Sequence, residues 1–111
     1  MEVYSEERDG VVMVAIEGEV DGSSASLLKD KILPLITENC RMLIDMNQVS
    51  FMSSAGLRIM LLISREITQT SGEVVLVGLL PEIHDAMDAT GFLKYFKLAD
   101  SFEAGVEVLS N

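Results

Sequence analysis

Residues 45–62, DMNQVSFMSSAGLRIMLL, contain the transition that organises the chain. An apolar run typical of a β-strand passes through a polar turn and continues as the apolar pattern of a helix that begins at Ser53 or Ser54. The first turn of a helix has unpaired N–H groups and carries the positive end of the helix dipole. Added negative charge is tolerated there, so a serine at this junction is a candidate phosphorylation site.

The composition predicts one domain over residues 1–111. Hydrophobic residues make up 49% of the chain, which is enough for a single core without disulfides or metal. Eight Lys and Arg against 18 Asp and Glu give a net charge of −10 without a basic run, which argues against nucleic acid and against an anionic membrane surface. A basic protein partner fits this charge better. The lone Cys40 and the lack of an apolar signal or spanning run predict a cytoplasmic protein.

Alternating strand and helix patterns predict a layered α/β fold. The pair Asp9-Gly10 favours a tight hairpin between strands at 2–8 and 11–17. Next come a helix over 23–39 that Pro34 kinks or ends and a strand over 41–46 followed by turn-forming Asn47. A helix over 54–71, ended by a left-handed Gly72, then leads to a strand over 73–79 and a helix from Pro81 to Gly91. The chain closes with a loop that has a possible short strand over 92–98 and a last helix, which has an Asp100–Glu103 capping box and an inner stripe of Phe102, Val106 and Leu109.

Two βαβ units follow from this order, and such units require parallel strands. The loop after the second strand, 21–24, and the loop after the third strand, 47–54, should therefore emerge at the same carboxyl edge of the sheet. This placement would bring Asp21 beside the serines.

Each candidate residue also has a structural interpretation. Ser53 and Ser54 could serve only as helix caps, and Asp21 could be only a turn residue. Gly56 is unfavourable in a helix by about 1 kcal/mol relative to Ala, which suggests close approach by another backbone or a partner. Met52 and Met60 are core filler or, alternatively, part of an adaptable interface.

An enzyme is not supported by the sequence. A G-x-S-x-G elbow is missing because Met52 occupies the first glycine position, and the lone histidine, His84, reads as a surface or capping residue. Nucleotide-binding and metal-binding motifs are likewise missing. The chain is therefore predicted to have no catalytic residues, no metal and no cofactor.

Three segments together resemble a STAS domain of the free-standing anti-sigma factor antagonist type: GEVD at 18–21, LIDMNQVSFMSSAGLRIMLL at 43–62 and GEVVLVG at 72–78. The resemblance implies a mixed, largely parallel sheet of four or five strands flanked by about four helices. It also implies that a serine at the start of the second helix is phosphorylated by a serine kinase that doubles as an anti-sigma factor. A serine phosphatase would reverse the modification, and the unphosphorylated protein would bind the kinase and free the sigma factor.

Within this motif, Phe51 and Met52 match the hydrophobic pair, Ser54 matches the phosphorylated serine, and Gly56 and Leu57 agree with the family pattern. The resemblance implies that this turn is the site of phosphorylation and of partner binding.

Of the remaining positions, one more matches the family pattern and three depart from it. Asp21 matches an acidic residue that is implied to assist kinase recognition or phosphoryl acceptance. Ser53 replaces the usual aspartate, Ala55 replaces a second serine, and Arg58 replaces the usual glycine. Arg58 places a cation within one helical turn of Ser54, where it could stabilise the phosphorylated form.

Two alternatives stay open. The chain could be a STAS scaffold that is never phosphorylated and works in another signalling or transporter-associated assembly. It could also be a nucleotide-binding or hydrolytic enzyme, which would turn over ATP without an added kinase.

Overall fold

The computed structural model describes residues 1–110 as a five-stranded sheet with helices on both faces. Its strands and helices are β1 Glu2–Arg8, β2 Val11–Val20, α1 Ala25–Ile32, β3 Arg41–Met52, α2 Ser54–Gln69, β4 Glu73–Val77, α3 Pro81–Ala89, β5 Lys97–Ala99 and α4 Phe102–Ser110. The strands follow the order β1-β2-β3-β4-β5, in which β1 is antiparallel to β2 and the other neighbours are parallel. The predicted mixed, largely parallel α/β fold is confirmed.

The hairpin between β1 and β2 has the predicted turn. Asp9 and Gly10 have φ angles of 54° and 80°, as a type I′ turn requires. Arg8 and Val11 are the last paired residues on either side of it. The first strand is thereby held at the edge of the sheet.

The two faces of the sheet are covered unequally. One face packs under α1, α2 and α3 and forms the larger core, whose fully buried members include Ile16, Leu28, Ile44, Met60 and Met87. The opposite face packs against α4 alone, and its core is Val11, Leu43, Val75, Val77 and Leu109. We call this second face the α4 face. Side chains alternate between the faces along each strand, which is why one strand supplies both cores.

The third strand is longer than predicted. Asn47 does not end it, and β3 continues through Met52. The reason is tertiary, because β2 also continues to Val20 and pairs with β3 over its whole second half. The β2–β3 pairing accommodates the residues predicted to form a turn through two register shifts, one between Ala15 and Glu17 and one between Gly18 and Glu19.

The first helix is shorter than the predicted range of 23–39. It ends at Ile32, and Leu33–Leu35 forms a 3-10 turn that contains Pro34. Proline has no N–H to donate, which explains the stop that the sequence offered as one of two outcomes.

Two predicted helix ends are wrong in detail. Ser71, with φ of 62°, is the left-handed residue after α2, and Gly72 is instead needed because a Cβ there would overlap the carbonyl oxygen of Cys40. At the start of α4 the side chain that caps the helix belongs to Ser101 and not to Asp100, since the Ala104 N–H donates to Ser101 Oγ at 3.1 Å.

The predicted inner stripe of α4 is only partly correct. Leu109 is buried and Val106 is half-buried, but Phe102 is 40% exposed. The buried position in the first turns of the helix is Gly105, where a Cβ would lie 2.9 Å from both Leu43 Cδ1 and Val77 Cγ2.

Candidate functional site

The candidate site lies where β2 and β3 end. Val20 and Met52 are partners in the parallel register, and the Ser53 N–H donates to the Val20 carbonyl oxygen at 2.8 Å. This bond extends the pairing by one residue past the end of β3. The loop that begins with Asp21 and the turn that contains Ser53 and Ser54 are therefore neighbours, as predicted from parallel strands.

Ser53 is the N-cap of α2. Its backbone is extended, with φ of −76° and ψ of 171°, and its Oγ accepts a hydrogen bond from the Gly56 N–H at 3.2 Å. Ser54 is the first helical residue and is exposed. Within the described part of the chain the Ser54 hydroxyl has no hydrogen-bond partner, whereas the Ser53 hydroxyl is engaged. The two adjacent serines are thus chemically distinct.

Asp21 is held by the two serines that follow it. Its Oδ1 accepts hydrogen bonds from the Ser23 hydroxyl at 2.7 Å, the Ser23 N–H at 2.9 Å and the Ser24 N–H at 3.1 Å. Ser24 Oγ accepts from the Asp21 N–H at 2.9 Å, which completes a reciprocal pair of hydrogen bonds in the turn that leads into α1. These bonds favour the carboxylate, so the pKa of Asp21 lies below its usual value, with the Ser23 hydroxyl having the largest effect.

The sequence offers Ser or Asp as the N-cap of the first helix, and the N-cap position is Ser24. The hydrogen bonds that Ser23 and Ser24 make to Asp21 were not predicted. An aspartate followed by serines two and three residues later is a known turn signature, so the sequence did contain the signal. The interpretation of Asp21 as a turn residue is confirmed, and the same hydrogen bonds fix its carboxylate at the sheet edge where Ser54 is exposed.

Three of the predicted site residues lie beneath the surface. Met52 is 8% exposed, Leu57 is 5% exposed and Gly56 is buried. Met60 is fully buried, so Met52 and Met60 are core residues and the adaptable interface suggested for them is wrong. The close approach inferred for Gly56 is real, but it is made by the protein's own β2 and β3.

The outer surface of the site consists of Ser54, the half-buried Ala55, Arg58 and Phe51. Arg58 is exposed one turn after Ser54 and forms no ion pair within residues 1–110. Phe51 is 49% exposed, which is unusual for a large apolar side chain and makes it a candidate contact for a protein partner.

His84 lies on α3, where its Nδ1 is 3.3 Å from Asp85 Oδ1. Among residues 1–110 there is no cluster of three His, Cys, Asp or Glu side chains that could hold a metal ion. No helix in that range is long and apolar enough to cross a membrane.

Comparison with known proteins identifies the family. The profile of the STAS domain matches residues 2–105, and the chain belongs to the STAS domain family. BtrV of Bordetella bronchiseptica, which is named as a candidate anti-sigma factor antagonist, is 30% identical over 105 residues, covering 94% of this chain and 90% of BtrV. The anti-sigma-B factor antagonist of Bacillus subtilis is 28% identical over 107 residues and covers 96% of both chains.

Solved structures show the same fold. A candidate anti-sigma factor antagonist from Thermotoga maritima superimposes with a TM-score of 0.90 at 18% identity, over 98% of this chain and 95% of that one. The phosphorylated form of the Bacillus cell fate determinant SpoIIAA gives a TM-score of 0.73 at 22% identity, over 96% of this chain and 99% of that one.

Proposed function

We propose that this protein is an anti-sigma factor antagonist whose binding to its anti-sigma factor is controlled by phosphorylation of Ser54. The observation that carries the proposal is the exposed Ser54 hydroxyl at the first position of α2, beside a neighbouring serine whose hydroxyl is already engaged in the cap. The names of two relatives that cover nearly the whole chain support the antagonist role. The phosphorylated form of the similarly folded SpoIIAA supports control by phosphate.

The partners in this proposal are a serine kinase that is itself the anti-sigma factor and a serine phosphatase that reverses the modification. The antagonist supplies the acceptor hydroxyl and the binding surface, and it has no catalytic role of its own. Asp21 offers a fixed carboxylate beside the acceptor, and Arg58 offers a cation one turn further along α2.

The switch is electrostatic. Phosphate adds about −1.5 to −2 charges, and the start of α2 accepts them without refolding because of the free N–H groups and the helix dipole. One charge pair at about 6 Å with an effective dielectric of about 20 corresponds to roughly 3 kcal/mol before screening. Against an acidic partner surface, the affinity should therefore fall by about one to two decades.

The test compares Ser54→Ala and Ser54→Glu for binding to the anti-sigma factor that co-purifies with the protein. Ser54→Ala should bind at all times, whereas Ser54→Glu should bind weakly. Ser26→Glu, which adds the same charge at another exposed serine, is the matched control. Equal binding by the two Ser54 variants would contradict the switch and favour the unphosphorylated scaffold. Turnover of ATP by the protein alone would instead support the alternative that it is an enzyme.

A further inference from the structure

The α4 face is only half covered. Helix α4 packs against β3, β4 and β5. Val11 at the start of β2 is buried in the same core, whereas Met13 and Ala15 of β2 and the α4-face side chains of β1 are only half-buried or exposed beside it. A groove of about 310 Å³ lies there, lined by residues of β1, β2 and β3 and by Phe102 of α4. We call it the β1–β2 groove.

The floor of the β1–β2 groove is largely apolar. Met13, Ala15 and Leu43 form the floor, and they occupy adjacent positions on β2 and β3. Tyr4 from β1 and Phe102 from α4 stand on opposite sides of it and are 52% and 40% exposed. Two large apolar side chains that face one channel are typical of an unfilled contact surface.

The width of the groove fits one helix. Two strands span roughly 10 Å, because neighbouring strands lie about 4.8 Å apart. Packed helices have their axes about 8–10 Å apart, so a second helix beside α4 would cover the open strands. On the opposite face, α1, α2 and α3 already cover the sheet in this way.

Negative charge surrounds the groove. The carboxylates of Glu6 and Asp45 line it, and the paired Glu2 and Glu17 lie beyond Tyr4 on the same side of the hairpin. Arg8 is the one cation in the lining, and its ion pair with Glu6 at 2.6 Å leaves Asp45 as the lining carboxylate without an ion pair among residues 1–110. Arg41, on the same face at the start of β3, donates to the Leu109 carbonyl oxygen at 3.1 Å. An occupant needs an apolar stripe with positive charge on its flanks.

We propose that the β1–β2 groove binds a basic amphipathic helix of a partner protein, parallel or antiparallel to α4. A second copy of this chain is a poor occupant, because it would place Glu6 and Asp45 against like charges.

This surface is separate from the proposed Ser54 switch. Helix α2 packs on the opposite face of the sheet, so both surfaces can be occupied at once. The groove would let the antagonist be held in an assembly whether or not Ser54 carries phosphate. The proposal therefore goes beyond antagonism of an anti-sigma factor and does not depend on it.

The test uses stapled helical peptides of about 14 residues, which are about 21 Å long. The first has a Leu stripe flanked by Lys, the second has the same stripe flanked by Glu, and the third has the composition of the first in scrambled order. Each is titrated into the ¹⁵N-labelled 111-residue chain, and amide shifts locate the contact. Tyr4→Ser and Phe102→Ser are the groove variants, and Leu27→Ser, an exposed leucine on α1, is the matched control.

We expect saturable binding of the Lys-flanked peptide alone, with shifts centred on Tyr4, Ala15 and Phe102 and an affinity that falls with salt. Tyr4→Ser and Phe102→Ser should each weaken it about tenfold, as loss of an aromatic anchor does. Leu27→Ser should leave it unchanged. The proposal is overturned if the scrambled peptide binds equally well, if the shifts centre on Phe51 and Ser54, or if the free protein dimerises through this groove.

Discussion

Gly56 lies directly against Val20, and a Cβ at residue 56 would stand 2.8 Å from Val20 Cγ1. The same atom would lie 2.9 Å from Met52 Cγ and 3.3 Å from the Val20 carbonyl oxygen. The first turn of α2 is therefore seated on the ends of both β2 and β3. This contact holds Ser54 at the same edge as Asp21, so the packing of a residue without a side chain determines where the acceptor hydroxyl stands.

We expect Gly56→Ala to lower the free energy of unfolding by about 1 kcal/mol. Overpacking costs about 1–3 kcal/mol, and the better helix propensity of Ala returns about 1 kcal/mol. Gly22→Ala is the control, because no atom lies within 4 Å of the Cβ that it adds. Urea denaturation of both variants gives the comparison. A Gly56→Ala variant as stable as the control would show that α2 can shift without cost.

We expect phosphate on Ser54 and not on Ser53. The Ser53 hydroxyl accepts the Gly56 N–H at 3.2 Å and is turned toward the backbone, whereas Ser54 is exposed. Fragmentation mass spectrometry of the protein phosphorylated by its kinase can separate the adjacent positions.

Ser53→Ala provides the control for this assignment. Removing the cap should cost about 0.5–2 kcal/mol of stability while Ser54 still accepts phosphate. Phosphate found mainly on Ser53 in the protein without the substitution would overturn both the assignment of Ser53 as the cap and the alignment with the family motif.

We expect Asp21→Asn to slow phosphorylation while the domain stays folded. The amide can still accept the hydrogen bonds of Ser23 and Ser24, but the charge beside the acceptor is lost. A timed kinase assay, together with a circular-dichroism melt, measures the two effects. Asp30→Asn, an exposed carboxylate on α1, is the control. An unchanged rate would leave Asp21 with its role in the turn alone.

The same substitution should change how stability depends on pH. The folded pKa of Asp21 is below its ordinary value of 3.8, so its charge stabilises the fold above that value. The contribution is lost as the pH falls through the folded pKa. The difference in Tm between the original protein and Asp21→Asn should therefore be larger at about pH 7 than at about pH 2. A constant difference in Tm across this range would mean that the charge of Asp21 does not contribute to the stability of the fold.

We expect Arg58 to stabilise the phosphate on Ser54, because the two positions are one helical turn apart. The second pKa of phosphoserine is about 6, and a nearby cation lowers it. An exposed pair worth about 0.3–0.5 kcal/mol predicts that Arg58→Ala raises this pKa by about 0.2–0.4. Titration by ³¹P NMR measures it, with Arg65→Ala on the same helix as control. Equal values for the two variants would remove Arg58 from the site.

Much of the fold could be predicted from local patterns. Asp9-Gly10 specified its hairpin because few other residue pairs tolerate two positive φ angles. Ser53 could be recognised as a cap because its hydroxyl bonds within its own turn. The exposed Ser54 followed from that assignment. These features involve residues within about four positions of each other, so the sequence contains them directly.

Other features depended on elements far apart in the chain. The sequence alone determined the order of strands and helices and the presence of a serine at a helix start. Only the tertiary structure decided that β3 continues past Asn47, because the partner that holds those residues is the end of β2, some 30 positions earlier. It likewise decided that Phe102 is exposed, because the length and position of α4 leave β1 and most of β2 uncovered on that face. Local propensity acts over one turn, whereas strand pairing and burial depend on neighbours that only the folded chain brings together.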